Sequence, residues 1–502
     1  MDQLKKLLAI CAGYAVEKGL CKPEDYDFVH NRLLAVFNID SPYEGEVNIP
    51  ANIAQTLEEI TLLAMELGYL EQDTAAHREM LDNKVAGCML MPPSQVIEEF
   101  NRIKMTHGVQ RATVWFYALC CDSNYIRTRE IARNLQWKAD SPYGTVEVTV
   151  NLTKPEKDPK EIELALKAPS VSYPACQLCP TNVGYGGRLN HPPRVLLRTI
   201  PLTLNGEKWH MQYSPYVYFN EHCIAFSQEH TPMEISQKTY RRLFDFQQQF
   251  PHYFIGSNAG LPIAGGSILG HLHFQGGRYL LPMMYASVRT EYFSPEQGVD
   301  MCVLNWPMPA IRLSGTDPEP IIKAATAITE AWEVYSDEAL GVYAQTGGVN
   351  HNTITPILHI SDSKYHLDLV LRNNLTSEEF PLGIFHPHPS RHHVKKENIG
   401  LIEVMGLFIL PGRLKAELLE HTASYLAGQP YDSARVASHL EWADSFKHKY
   451  DLSTLEKAQQ AIRDELGLLC MQLLGDAAVF KDDEAGRAGL DRFINTVFRE
   501  GV

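Results

Sequence analysis

Gly265-Gly266-Ser267-Ile268-Leu269-Gly270-His271-Leu272-His273-Phe274-Gln275-Gly276-Gly277 is the stretch that decides how this chain reads. Small residues enter it, two histidines alternate in it, and a glutamine and a glycine pair leave it. In an extended backbone side chains alternate with period two, so His271, His273 and Gln275 share one face. An imidazole attacks phosphorus and carries a covalent intermediate. A glutamine on the same face offers an amide N–H to the same phosphoryl group. Glycine turns let backbone N–H groups approach phosphate oxygens with no Cβ in the way. The pattern therefore predicts catalysis by His273 and Gln275. Taken singly, either histidine reads first as a hydrogen-bonded polar residue of a strand.

Working outward, five longer blocks extend the reading: "NYIRTREIARN", "VTVNLTKPEKDPKEI", "QYSPYVYFNEHCIAFSQEHTPM", "GSNAGLPIAGGSILGHLHFQGGRY" and "KKENIGLIEVMG". Together with His-x-His-x-Gln they resemble the second class of galactose-1-phosphate uridylyltransferases, within the histidine-triad superfamily. The resemblance spreads over most of the chain. It implies an α+β fold of two histidine-triad-like antiparallel halves, with an added N-terminal helical region and a C-terminal helical tail. The expected bounds are 1–112 for the helical region, 113–285 for the half with the nucleophile, 286–430 for the second half and 431–502 for the tail.

Before the central motif, the first hundred residues read as helical, with Leu4, Leu7, Leu8 and Cys11 at helical spacing. The segment from Asn52 to Leu67 repeats the pattern ahead of Gly68, a C-cap residue by type. This region shows no chemistry of its own. "TVWFYALCC" from Thr113 reads as a short apolar strand, and Val146, Val148, Val150 and Leu152 alternate with polar residues as in a half-buried strand. "RVLLRTIPLTL" and "WHMQYSPYVYF" read as strands, and "SQKTYRRLFDFQQQF" as a helix leading into the short strand "YFIGSNAG". Arg127, with Arg129 and Arg133 beside it, and Lys154 suit a diphosphate, and Asn190, Arg194 and Arg198 suit a nucleotide pocket. Asn258 and Ser267 resemble the family positions that contact the nucleotide and its phosphate. Ser267 stands one residue further from the first histidine than in the first class.

Cys176 and Cys179 form a Cys-x-x-Cys, a spacing shared by zinc and redox sites. His230 and His271 follow downstream, and Cys2His2 is a closed tetrahedral set of the structural zinc type. Its order resembles the metal site of the family's first class. A structural zinc there would pin the strand that carries His273. The other reading needs no metal: His271 orients His273 through its backbone carbonyl alone. No organic cofactor is expected.

Beyond Gly277, "YLLPMMYASV", "MCVLNWPMPAIRLS" and "YHLDLVLRNN" read as strands, and "EPIIKAATAITEAWEVYSDE" as a helix. This would be a related half without a nucleophile. In its turn, Lys395, Lys396, Glu397, Asn398 and Glu403 are expected near the hexose or its phosphate, and an exposed charged turn is the plain alternative. A second histidine cluster, "FHPHPSRHH", contains His386 and His388. It lacks a glutamine two residues on and a Gly-rich approach, and its prolines mark a loop. It is rejected as the nucleophile, and sugar-phosphate binding, imitation of a second metal site and a surface loop stay open for it. Ser453 and Glu456 read as a capping box before a long amphipathic helix.

The whole chain sets outer limits. It has 502 residues, 45% hydrophobic and 21% charged, which suits a globular protein of several units. A net charge of −15 disfavours nucleic acid or an acidic membrane as main partner. No apolar run has membrane-spanning length, and no signal peptide is read at the start. Ten scattered cysteines suit a reducing cytoplasm. The resemblance implies UDP-glucose and galactose 1-phosphate as substrates, a uridylyl-histidine intermediate and a homodimer. The alternatives are a histidine-triad phosphorylase or hydrolase, and a zinc-stabilised binding protein without turnover.

Overall fold

In the computed structural model, residues 1–70, 72–153, 171–266 and 268–499 are described. The first 131 residues carry the helices Asp2–Glu17, Tyr26–Val36, Ala54–Glu66, Ala75–Met89, Pro93–His107, Val109–Asp122 and Thr128–Ile131. The expected strand at "TVWFYALCC" is therefore a helix. Its apolar run satisfies both periods, but Ala112, Thr113, Phe116, Leu119 and Cys120 are buried at helical spacing. An unbroken apolar run does not choose between strand and helix; the partner surface does. Gly68 lies just past the helix Ala54–Glu66 at φ +78, a left-handed conformation that suits glycine.

Two strands follow, β1 (Leu135–Ser141) and β2 (Gly144–Asn151). They stand apart from the main sheet and pair with a late strand instead. The main sheet begins with a meander, β3 (Ile200–Leu204), β4 (Glu207–Tyr213) and β5 (Cys223–Ser227). The helix Gln237–Gln249 comes next, capped reciprocally by Ser236 and Thr239. Then come β6 (Phe254–Gly256) and β7 (His273–Gly277).

The second half repeats this order with β8 (Val288–Tyr292), β9 (Asp300–Leu304) and β10 (Ala310–Gly315), then the helix Pro318–Val334. A small ribbon of β11 (Gln345–Thr346) and β12 (Val349–Asn350) intervenes before β13 (Asn352–Ser361) and β14 (Lys364–Asn373). The strand expected at "YLLPMMYASV" is a 3-10 turn at Pro282–Tyr285, where Pro282 supplies no N–H to a ladder, and β8 starts only at Val288. "MCVLNWPMPAIRLS" divides into two strands, and of "RVLLRTIPLTL" only the last five residues form β3.

The ten strands run β3-β4-β5-β7-β6-β13-β14-β10-β9-β8. Read inward from either edge, the order is the same: three meander strands, then the last strand, then the one before it. The halves meet where β6 pairs antiparallel with β13, Gly256 opposite Ile357. One face of the sheet packs its alternating apolar residues, Ala225, Phe274, Ile311, Leu367 and Leu369 among them, with the two crossover helices and the N-terminal helices. The other face meets a second core containing Val148, Ile357, Val370, Leu401 and Leu466. There β15 (Leu407–Pro411) joins β2 in parallel, and the helix Leu455–Ala477 lies beside them. That helix is capped by Thr454, which accepts from the Lys457 N–H at 3.3 Å, and not by Ser453.

Candidate active site

Short apolar strands position the central motif. β7 lies between β5 and β6, with Phe226 opposite His273, Ile224 opposite Gln275, and Gly256 opposite Gln275 on the other side. Paired residues point to the same side of a sheet. His273 and Gln275 therefore face the second core, and Phe274 faces the helices and stacks on Trp209 at 4.9 Å. The strand starts at His273, two residues later than an extended His271 would require, and His271 sits in the bend before it. Two glycines are required by close approach here. A Cβ on Gly276 would lie 2.2 Å from the Phe254 carbonyl oxygen, and one on Gly265 would lie 2.2 Å from that of Ala259.

His273 is 7% exposed. Its Nδ1–H donates to the carbonyl oxygen of His271 at 2.7 Å, so the lone pair is left on Nε2. Burial pulls this imidazole below its ordinary pKa, and the bond to His271 only partly offsets it. The neutral, nucleophilic form is thus the resting one.

His271 belongs to a second constellation. Its Nε2–H donates to the Ser227 carbonyl at 2.9 Å, which leaves Nδ1 as a lone pair. That Nδ1 lies 3.2 Å from Cys176 Sγ and 3.7 Å from Cys179 Sγ; the two sulfurs are 3.5 Å apart, and Cys179 Sγ is 3.1 Å from His230 Nδ1. All four ligand atoms lie within 4.8 Å of one another. A zinc with Zn–S of about 2.3 Å and Zn–N of about 2.1 Å has tetrahedral edges of roughly 3.3–3.8 Å. The set fits such an ion in donor type and in the tautomer of His271, the four shorter spacings of 3.1, 3.2, 3.5 and 3.7 Å approach those edges, and the carbonyl behind His271 is the outer partner that such a ligand uses.

The second half closes over this region. The Asn258 side-chain oxygen accepts from the Leu401 N–H at 2.9 Å, and Asn398 Nδ2 donates to the Gly265 carbonyl at 3.3 Å. His386 Nε2 lies 3.2 Å from the Asn398 side-chain oxygen. At 3% exposure His386 is part of this interior contact, not of a surface loop. His388 is turned the other way, its N–H donating to Asp476 and its ring stacked on Phe380. Lys395 Nζ pairs with Glu403 at 2.6 Å in a nearly dry setting. Burial opposes the charge on Lys395, but Glu403, by charge and hydrogen bond, outweighs it and raises the ammonium above its usual pKa. Glu403 also accepts from the Gly400 N–H at 2.8 Å, so the turn is braced from within. Lys396 and Glu397 are exposed beside it.

The remaining expected residues make contacts of their own. Arg127 faces Glu79 and Asp82 at 3.6 and 3.5 Å, and Arg129 pairs with Glu58 at 2.9 Å. Arg194 donates to the Pro193 carbonyl at 3.3 Å, and Asn190 accepts from Arg188 at 2.6 Å. Arg198, 6% exposed, donates to the carbonyls of Met91, Val195 and Leu197. Lys154 and Ser267 lie outside the described residues. Two residues were passed over in the sequence. His222 Nε2 lies 3.1 Å from the Gln275 side-chain oxygen, and Arg372, 2% exposed, donates to the Ile399 carbonyl at 3.0 Å and so holds the Lys395–Glu403 turn. His222 stands inside a block quoted above, but nothing in its spacing announces a partner 53 residues away. A cavity of about 760 Å³ opens at the opposite end of β7, lined by Phe254, Arg278, Tyr279 and His359 among others.

The arrangement defines a class: a duplicated antiparallel sheet that carries one neutral imidazole and one amide on the same face of a central strand. Residues 21–232 match the N-terminal domain of galactose-1-phosphate uridyl transferase, and residues 246–444 match its C-terminal domain. The chain belongs to the galactose-1-phosphate uridyl transferase family. Similar full-length relatives carry the name galactose-1-phosphate uridylyltransferase. The one from Caldanaerobacter subterraneus subsp. tengcongensis is 47% identical, covering 96% of each chain. That of Halalkalibacterium halodurans is 47% identical, over 96% of this chain and 97% of the relative. That of Bacillus subtilis is 44% identical, over 99% of this chain and 97% of the relative.

Proposed function

We propose that this chain transfers UMP from UDP-glucose to galactose 1-phosphate, in two displacements on His273. His273 Nε2 attacks the α-phosphorus, a P–N bond forms, and the bond to the bridging oxygen breaks to release glucose 1-phosphate. A phosphate oxygen of galactose 1-phosphate then attacks the same phosphorus, the P–N bond breaks, and UDP-galactose leaves. Splitting the transfer in this way predicts ping-pong kinetics. The observation that carries the reading is the 2.7 Å bond from His273 Nδ1–H to the His271 carbonyl, which aims a lone pair from Nε2. The sugar phosphate is a good leaving group by itself, so no strong general acid is needed.

In this reading the Gln275 amide stabilises the phosphoryl oxygens as charge shifts. Asn258 and Ser267 meet the nucleotide and its phosphate. Lys395, Lys396 and Asn398 form the sugar-phosphate end, supported by the contacts of that turn with the Gly265 loop. Arg127 and Lys154 serve the diphosphate, and Arg194 the nucleotide. Zinc at Cys176, Cys179, His230 and His271 is structural: it fixes the His271 backbone, and that carbonyl sets the tautomer of His273. The enzyme works as a homodimer in the cytoplasm, a setting that suits its ten unpaired cysteines.

The test is UDP-glucose labelled at the α-phosphate, given without acceptor. Acid-labile, alkali-stable label on His273, discharged by galactose 1-phosphate, is expected. Untouched substrate would refute transfer, and release of free UMP without stable label would make the chain a hydrolase.

A further inference from the structure

We propose that His222 is a positioning residue for the transfer, because it decides which end of the Gln275 amide faces the phosphoryl group. The inference rests on the role given to Gln275 above.

His222 immediately precedes β5 and lies on the face that carries His273 and Gln275, by the pairing of Phe226 with His273 and Ile224 with Gln275. It is 2% exposed and held between the rings of Tyr218 and Phe219, with centroids 5.5 and 4.6 Å away. Its Nε2 lies 3.1 Å from the Gln275 side-chain oxygen. Its Nδ1 is buried and has no hydrogen-bond partner among the described residues.

Two arrangements satisfy a neutral imidazole. With the proton on Nε2, His222 donates to the Gln275 oxygen, and the amide NH2 is the end left for substrate. With the proton on Nδ1, the amide must turn over and donate to Nε2, and its oxygen would face substrate. The second arrangement strands an N–H donor in a dry site, and the first leaves only an acceptor there. Orphaned buried N–H groups are the rarer and costlier of the two. The unpartnered Nδ1 therefore selects the first. A turned amide would set its oxygen against an anionic phosphate, so the choice separates attraction from repulsion at the reacting group. Burial lowers the His222 pKa to about 4, so it acts as a neutral donor across the working range.

A double-mutant cycle with Gln275→Ala tests this, read as the rate of uridylylation by UDP-glucose and the rate of discharge by galactose 1-phosphate. His222→Phe keeps a ring between Tyr218 and Phe219 and removes the donor. It should slow both half-reactions about tenfold or more, with KM for UDP-glucose nearly unchanged. In the Gln275→Ala background the same change should cost less than about twofold. His222→Gln, which restores an N–H, should recover most of the rate and shows that the loss is not one of folding. An equal loss in both backgrounds, or no loss at His222→Phe while Gln275→Ala is slow, overturns the inference alone. Full activity of Gln275→Ala overturns the role of Gln275, and this inference with it.

Discussion

Asn258 and Leu401, 143 positions apart, are joined by a 2.9 Å hydrogen bond from the Leu401 N–H to the Asn258 side-chain oxygen. This bond ties the loop that enters the nucleophile's strand to the turn of the other half. Asn258→Ala leaves a buried backbone N–H unpaired, a loss of about 1–3 kcal/mol. Transfer should fall by more than that destabilisation explains, because the Gly265 loop and the Lys395–Glu403 turn lose their register. Urea unfolding and kcat/KM on the same preparation check it; wild-type values for both would contradict the reading.

His273→Ala should abolish transfer by several orders of magnitude while the melting temperature stays near that of the parent. Among the described residues the side chain makes one hydrogen bond, to the His271 carbonyl, so the fold depends on it little. Measurable uridylyl transfer by this variant would end its assignment as nucleophile.

The paired and the exposed lysine of the turn should separate stability from binding. Lys395→Met strands Glu403 as a buried charge, and breaking such a pair costs about 3–5 kcal/mol. Lys396 is exposed, and Lys396→Met should change stability by less than about 0.5 kcal/mol. It should instead raise KM for galactose 1-phosphate. A KM unchanged by Lys396→Met would remove that residue from the acceptor site.

Purified protein should hold about one zinc per chain, and a strong chelator should lower its melting temperature. Cys176→Ser should lose the metal and reproduce the chelated stability. Parent protein that contains no metal and is indifferent to chelator would leave the four residues as a hydrogen-bonded cluster only.

Acid should weaken the fold before the carboxylates titrate. Burial lowers His222, His252 and His359 to about 4. In the unfolded chain they titrate near about 6.5. Between these values the unfolded state binds more protons, so stability rises with pH. It is full above the unfolded value and is lost as pH falls toward the folded one. Urea midpoints at pH 7, 6 and 5 should decline in that order, and His359→Phe should flatten the slope. A constant midpoint would show these imidazoles to be hydrated in the folded state.

Much of the site was legible because it is local. Alternation over a few residues puts His273 and Gln275 on one face, and the structure keeps them there. Cys-x-x-Cys with two later histidines announced a ligand set by residue type, and the four side chains do converge. Elements without a decisive period differ between sequence and structure. The run from Thr113 fits strand or helix alike, and becomes helix because its buried side has helical neighbours to pack on. A literal His-Pro-His drew attention to His386 without revealing its contact with Asn398.

By itself the sequence determined the chemistry available at one strand, the apolar alternation that makes two sheet halves, and the residue types of a closed metal set. Only the tertiary structure decided which groups meet. The pairing of β6 with β13, the reach of Asn398 to Gly265 and the contact of His222 with Gln275 all join distant parts of the chain. Side-chain periodicity specifies faces within one element. Partners across elements are chosen by burying both faces of the sheet at once, a condition on the whole chain and not on any stretch of it.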